Sequence, residues 1–262
     1  MAKKRSTATR RADSQAAAAR AAAIRKEQER KERRRRSLVV TAVAVVVLVL
    51  IGAIAYGVQS SRDATTASGG SAPSGTVGTG GYGIPVGSKS APVTAVVYED
   101  FICPYCGAFE ASGRATLQKD IDQGKLRIQY HALNFLDRNS TTKYSTRAAN
   151  AFAVVYDASG SKVAKKFHDL LFENQPQEGS AGLTDSQLVD LAVQAGATRS
   201  AVEDGIKKGK FDSWVVKGTD QASKAHVTGT PTVRVNGKDL PVNSAQDLVA
   251  QVQKVVDAGG KQ

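Results

Sequence analysis

Residues 93–106 read VTAVVYEDFICPYC, and the fold is decided by how this stretch is read. Val93–Tyr98 is a short, apolar, β-branched run of the kind that forms a buried strand. Cys103 to about Asp122 follows with helical character, carrying Phe109, Leu117 and Ile121 among its apolar residues. Leu126–Tyr130 alternates and predicts a second strand. The order strand, helix, strand opens an α/β domain.

The middle of the chain is helical in pattern. Thr142–Asp157 places Ala148, Phe152 and Val155 at spacings of four and three, and Ser161–Glu173 supplies Val163, Phe167, Leu170 and Leu171. Thr184 with Gln187 forms a capping box before Leu188, Leu191 and Ala192. Thr198 is placed to cap a further short helix, and Phe211–Ala225 predicts another. Strand signals return at Pro231–Val235, followed by the hairpin turn Asn236-Gly237 and a return strand over Asp239–Val242. Ser244 then caps a last helix bearing Leu248, Val252, Val255 and Val256. Residues 83–262 therefore read as βαβ, a helical insertion over about 140–226, and ββα.

The amino-terminal third is different in kind. Residues 1–37 hold fourteen Lys and Arg against four acids, which leaves only +2 of the chain's +12 to the rest. No aromatic residue interleaves these charges, so they do not read as a nucleic-acid surface. Residues 38–58, LVVTAVAVVVLVLIGAIAYGV, carry no charge, and as a helix of about 31 Å they match a bilayer core of about 30 Å. Arg33–Arg36 directly precede them, which predicts a cytoplasmic amino terminus, a single membrane span and an extracytoplasmic domain. Ala53-Ile54-Ala55 also fits a signal-peptide cleavage site, and Arg35-Arg36-Ser37-Leu38 loosely fits a twin-arginine signal. All these readings export the carboxyl-terminal domain. Residues 59–82, rich in Ser, Thr, Gly and Ala, read as a flexible tether.

Cys103 and Cys106 are the only cysteines in the 262 residues. A zinc site would need further soft ligands, but His131, His168 and His226 stand singly and read as surface or satisfied core residues. No metal and no cofactor are expected. A structural bridge remains possible, although so short a loop constrains little of the unfolded chain. The redox reading accounts best for the placement. Cys103 begins a helix, where unpaired N–H groups and the helix dipole favour a thiolate, and Pro104 fits the first turn. Cys103 is the expected nucleophile, and Cys106, one turn further in, the expected resolving thiol.

Gly87–Cys106 (GSKSAPVTAVVYEDFICPYC), together with Val227–Thr232 (VTGTPT), resembles the DsbA-like thioredoxin-fold oxidoreductases, especially the membrane-anchored or secreted members of Gram-positive bacteria and actinobacteria. The resemblance covers roughly residues 83–262 and implies a thioredoxin fold with an inserted helical subdomain. It implies that Pro104, Tyr105, Thr230 and Pro231 wall the site, with a cis bond before Pro231. Some members keep a buried glutamate six residues before the first cysteine, where this chain has Val97. Asp100 and Glu99 are the remaining candidates for accepting the Cys106 proton; either could instead be solvated at the strand end, Glu99 the more readily. The expected function is a membrane-tethered thiol–disulfide oxidoreductase, oxidising dithiols of exported proteins and recycled by a membrane redox partner that the sequence does not identify. Reductase or isomerase action would use the same residues, and a non-catalytic peptide-binding module with an inert bridge is the rival of another class.

Overall fold

The computed structural model describes residues 71–260. The basic tail, the membrane helix expected over 38–58 and the first part of the tether lie outside the described residues. Among the described residues, no helix is long and apolar enough to cross a membrane.

Five strands form one mixed sheet: β1 (Ile84–Val86), β2 (Val93–Glu99), β3 (Leu126–Ala132), β4 (Thr232–Val235) and β5 (Lys238–Asp239), in the order β1-β3-β2-β4-β5. β2 and β3 pair in parallel from Val93 opposite Leu126 to Glu99 opposite Ala132, and the other pairs are antiparallel. A parallel pair needs a crossover, which α1 (Pro104–Asp122) supplies. Between β3 and β4 come α2 (Tyr144–Glu173), α3 (Asp185–Ala195), α4 (Arg199–Lys207) and α5 (Asp212–Lys224), and α6 (Ala245–Asp257) closes the chain.

Alternation along β2 sets the layers. Val93, Ala95 and Val97 enter the main core with Phe101, Phe109, Phe152 and Phe167, and α1 and α6 pack together on this side. Tyr98 points the other way and meets Leu133, Ala222 and Val227. Fully buried Phe and Tyr rings dominate the interior, as burial of their large apolar area requires.

Several details depart from the sequence reading. β1 was not expected: three residues containing a proline show no alternation, yet they serve as an edge strand, where proline is tolerated. The return strand is Lys238–Asp239 rather than Asp239–Val242. Leu240 N–H still donates to the Val233 carbonyl at 2.9 Å, but Pro241 has no N–H to continue the ladder. Asn236 and Gly237, at φ 51° and 80°, make the expected turn. The two helices expected over 142–173 form one element, α2, broken only at Gly160 with φ 76°. The last residues expected in the free tether are instead docked. Tyr156 Oη donates to the Gly75 carbonyl at 2.8 Å, and Trp214 Nε1 to the Gly81 carbonyl at 3.2 Å.

The caps divide cleanly. Thr184 and Gln187 form their reciprocal box, and Ser244 Oγ accepts from Asp247 N–H at 3.0 Å. Thr198 occupies the N-cap of α4, but its side chain makes no capping bond. Ser244→Ala is therefore expected to cost about 1 kcal/mol in denaturant titration, and Thr198→Ala to stay within about 0.5 kcal/mol. Equal losses would show that the Thr198 hydroxyl caps in solution.

Candidate active site

The antiparallel β2–β4 register places Tyr98 opposite Thr232, so the loop entering β4 lies beside the segment leaving β2. That geometry brings Thr230 and Pro231, 127 and 128 residues downstream, to Cys103. The Thr230–Pro231 peptide is cis, and Cys103 Sγ stands 3.3 Å from the Thr230 carbonyl, to which the thiol donates. Cys103 is the N-cap of α1 and Pro104 opens the helix. Both cysteines are free thiols: Cys103 is 4% exposed and Cys106 fully buried, while Tyr105 between them is 75% exposed. The residues expected to wall the site thus gather around one sulfur that solvent barely reaches.

The two sulfurs are tuned in opposite directions. The Cys103 thiol is lowered to about 6, chiefly by a hydrogen bond from Cys106 and against the effect of burial; Thr230 and the N–H groups of Tyr105 and Cys106 add to the shift. These are the helix-start donors that the placement of Cys103 predicted. Cys106 is pushed well above its ordinary value by burial and by its hydrogen bond to Cys103, and the charges of Cys103 and Glu99 act in the same sense. One proton is thus held on Cys106 and offered to the Cys103 thiolate.

Asp100 and Glu99 both lie in the interior with no exposed surface. Glu99 is thus not solvated at the strand end; the strand runs one residue further than its β-branched pattern suggests and carries Glu99 under the helix. Asp100 Oδ1 accepts from Ile102 N–H at 3.1 Å and Ser145 Oγ at 2.7 Å, and Oδ2 accepts from Leu136 N–H at 3.0 Å. Burial still lifts Asp100 to about 7, against these three bonds. Its role is visibly architectural, tying the turn before Cys103 to α2 and to the loop after β3. Glu99 Oε1 lies 2.7 Å from His168 Nε2.

Three residues at the site escaped the sequence reading. Gln175, just past α2, donates from Nε2 to the Cys103 carbonyl at 2.9 Å and the Phe101 carbonyl at 3.2 Å. Its side chain lies so near Gly107 that a Cβ there would stand 2.3 Å from Oε1 and would push the amide aside. No local motif announces that contact. Glu110 follows Cys106 by four residues and shares its buried helix face, a spacing that could have drawn notice. His168, expected only as an isolated core or surface histidine, has donor atoms within 4.8 Å of those of Glu99 and Glu110. His168 Nε2 is hydrogen-bonded to Glu99, and Glu110 lies close to the pair without a hydrogen bond to either.

Comparisons with known proteins agree with this geometry. The family model described as thioredoxin matches residues 79–258. The serine/threonine-protein kinase PknE of Mycobacterium tuberculosis is 34% identical over 158 residues, covering 58% of this chain but only 28% of the kinase, so the chain spans little more than a quarter of that relative. Disulfide bond formation protein D of Bacillus subtilis is 31% identical over 155 residues, 58% of this chain and 67% of that protein. Among solved structures, the reduced form of the disulfide bond oxidoreductase DsbG from Mycobacterium tuberculosis superimposes with a TM-score of 0.59 at 31% identity, over 69% of this chain and 93% of that one.

Burial raises Glu110 from its ordinary 4.5 to about 7; the positive charge of His168 opposes the rise and the negative charge of Glu99 adds to it. The folded protein therefore favours the acid form, and folding takes up a proton between those two values. This contribution to stability is complete below pH 4.5 and lost as pH rises through about 7. Wild-type stability is expected to fall across that window relative to Glu110→Gln, in guanidinium titrations at stepped pH. A constant difference between the two proteins would show that Glu110 ionises normally.

Proposed function

The chain belongs to the thioredoxin family, and from that premise we propose that it is a thiol–disulfide oxidoreductase that oxidises dithiols of exported proteins. The observation that carries this reading is the lowering of the Cys103 thiol to about 6 beside a Cys106 that keeps its proton. A stabilised thiolate stabilises the reduced enzyme, which makes its disulfide the stronger oxidant. It also makes Cys103 a good leaving group when a substrate departs.

In the forward direction a substrate thiolate attacks Cys103 Sγ of the 103–106 disulfide. The sulfur–sulfur bond breaks, Cys106 leaves with the electron pair and takes a proton, and a mixed disulfide joins the substrate to Cys103. A second substrate thiolate then attacks the substrate sulfur of that bond, and Cys103 leaves as a thiolate. The substrate has lost two electrons and the enzyme holds them as a dithiol. A membrane redox partner must accept them to restore the disulfide. The exposed Tyr105 and the Thr230–Pro231 loop flank Cys103, where an incoming peptide would lie.

We place the domain outside the cytoplasm on a single span over residues 38–58, with the basic tail inside. The uncharged 21-residue run and the four arginines before it support that orientation.

Cys103→Ser is expected to abolish oxidation of a dithiol peptide, and Cys106→Ser, mixed with a disulfide-bonded peptide that its Cys103 thiolate attacks, to accumulate the mixed disulfide, read by mass spectrometry without reductant. Retained oxidation in Cys103→Ser would leave the binding-module reading in its place. Alkylation of Cys103 by iodoacetamide should reach half its maximal rate near pH 6. A reduction potential as low as about −270 mV, the thioredoxin value, would reverse the direction assigned here. In intact cells treated first with a membrane-impermeant reductant, a membrane-impermeant maleimide should label Cys103; labelling only after lysis would overturn the topology.

A further inference from the structure

The turn that hands Cys103 to α1 is held from two sides. Its N–H groups engage Asp100: Ile102 N–H donates to Asp100 Oδ1 at 3.1 Å, and Cys103 N–H to the Asp100 carbonyl at 3.0 Å. Its carbonyls engage Gln175, whose Nε2 donates to the Phe101 carbonyl at 3.2 Å and to the Cys103 carbonyl at 2.9 Å. A side-chain amide nitrogen carries two hydrogens, and both are spent on this one turn. The Cys103 carbonyl also accepts the first bond of the helix, from Gly107 N–H at 3.1 Å, so both of its lone pairs are engaged.

The rest of the chain holds Gln175 ready for this contact. Its own N–H donates to the Phe172 carbonyl at 3.3 Å, against the end of α2, and Pro176 disfavours a helical conformation at the residue before it. Arg114 of α1 pairs with Asp169 and Glu173 in the last turn of α2 and donates to the Asp169 carbonyl at 3.3 Å. The helix end that carries Gln175 is thus pinned to the helix that carries the dithiol. An amide placed in advance loses little freedom when it makes its bonds.

The contact bears on the redox chemistry through the backbone. Cys103 caps α1 with φ −73° and ψ 118°, outside the helical range. Its thiolate draws on Cys106 first, then on Thr230 and the N–H groups of Cys106 and Tyr105, and those backbone donors face Sγ only while the cap keeps its conformation. The Phe101 and Cys103 carbonyl oxygens are the negative ends of peptide dipoles in the same turn. A donor on each draws negative charge away from the neighbourhood of a thiolate. The oxidised protein has no thiolate to benefit. Gln175 therefore contributes more to the reduced form than to the oxidised one.

We propose that Gln175 is a positioning residue of the dithiol: its amide fixes the Cys103 turn, favours the reduced protein over the oxidised one, and so makes the disulfide a stronger oxidant. The inference rests on the oxidoreductase reading above and adds a residue that acts through the Cys103 backbone. The exchange itself is unaltered. The dithiol gives two electrons and two protons to a disulfide, whose sulfurs leave as two thiols, and the amide changes how far that exchange runs.

Gly107 offers an independent handle on the same amide. A Cβ there would stand 2.3 Å from Gln175 Oε1, 3.0 Å from Cδ and 3.3 Å from Nε2. Alanine suits a helix better than glycine by about 1 kcal/mol, yet its methyl group would push the amide off the two carbonyls. Helix propensity and redox poise are set against each other at this one position.

The test uses the full-length, detergent-solubilised chain, equilibrated at pH 7 in mixtures of reduced and oxidised glutathione. The samples are quenched in acid, and the dithiol and disulfide fractions are read by mass spectrometry after alkylation. Gln175→Met keeps the length of the side chain without its donor. It is expected to shift the equilibrium about tenfold towards the oxidised protein, which is about 30 mV. The half-maximal rate of Cys103 alkylation should move from about pH 6 to about pH 7. Gln175→Glu, whose carboxylate only accepts, should shift further in the same direction. Gly107→Ala should shift in that direction too, with no loss of thermal stability in the oxidised form. Thermal unfolding, followed by the fluorescence of Trp214, the only tryptophan, should show Gln175→Met lowering the reduced protein more than the oxidised one. Equal lowering of both forms with an unchanged glutathione equilibrium would make Gln175 a packing residue and overturn the proposal. An unchanged alkylation profile in both Gln175→Met and Gly107→Ala would also overturn it, as would a shift towards the reduced protein. A wild-type protein that does not exchange with glutathione would overturn the oxidoreductase reading itself, and this proposal with it.

Discussion

Two consecutive carboxylates, Glu99 and Asp100, end the central strand with no surface exposed, and most of what surrounds the dithiol is arranged to make that tolerable. A buried carboxylate without partners is strongly unfavourable. Asp100 escapes by accepting from two backbone N–H groups and the Ser145 hydroxyl, and in doing so fixes the turn that delivers Cys103 to the start of α1. Glu99 escapes by pairing with His168 on α2. Glu99 is the last residue of the strand and Asp100 the first beyond it, and the two side chains find separate partners. One therefore organises the loop above the strand end, and the other the acid–base cluster beneath the helix.

The helical insertion is thereby part of the site. Ser145 near the start of α2, His168 near its end and Gln175 just beyond it reach Asp100, Glu99 and Cys103 respectively. A bare strand–helix–strand unit would leave Glu99 unpaired and the Cys103 carbonyl with the Gly107 N–H alone. Gly107 shows the same dependence, because a Cβ there would displace the Gln175 amide. The fit between insertion and dithiol is a packing constraint, and it holds the first turn of α1 in the position where its N–H groups face Cys103.

Much of this was legible in the sequence because it rests on local rules. The run from Val93, the proline after Cys103, the Thr184–Gln187 box and the Asn236-Gly237 turn each carry their own physical reason, and each appears where that reason puts it. Thr230 and Pro231 were legible only through a resemblance, since the β2–β4 register that brings them to Cys103 is a long-range fact. Glu99 was misjudged because an acid at a strand end is ordinarily solvated, and only the His168 pair, 69 residues away, reverses that expectation. β1 was missed because three residues carry too little periodicity to read. What remained hidden was pairing across distance.

The asymmetry of the two thiols raises a difficulty for the opening of the disulfide. When a substrate attacks Cys103, the sulfur that must leave is Cys106, whose thiolate is disfavoured by burial and by the nearby charge of Glu99. A leaving group with a raised pKa departs slowly. The same features that make the reduced enzyme hold its proton on Cys106 would therefore retard the step that produces it. Supplying the proton as the sulfur leaves removes the conflict, because the departing group is then a neutral thiol. An acid held at about 7 on the same helix face is matched to that task near neutrality, where it gives its proton readily and regains it without a large barrier. Burial, which creates the difficulty at Cys106, also raises Glu110 to about 7 on the same helix face.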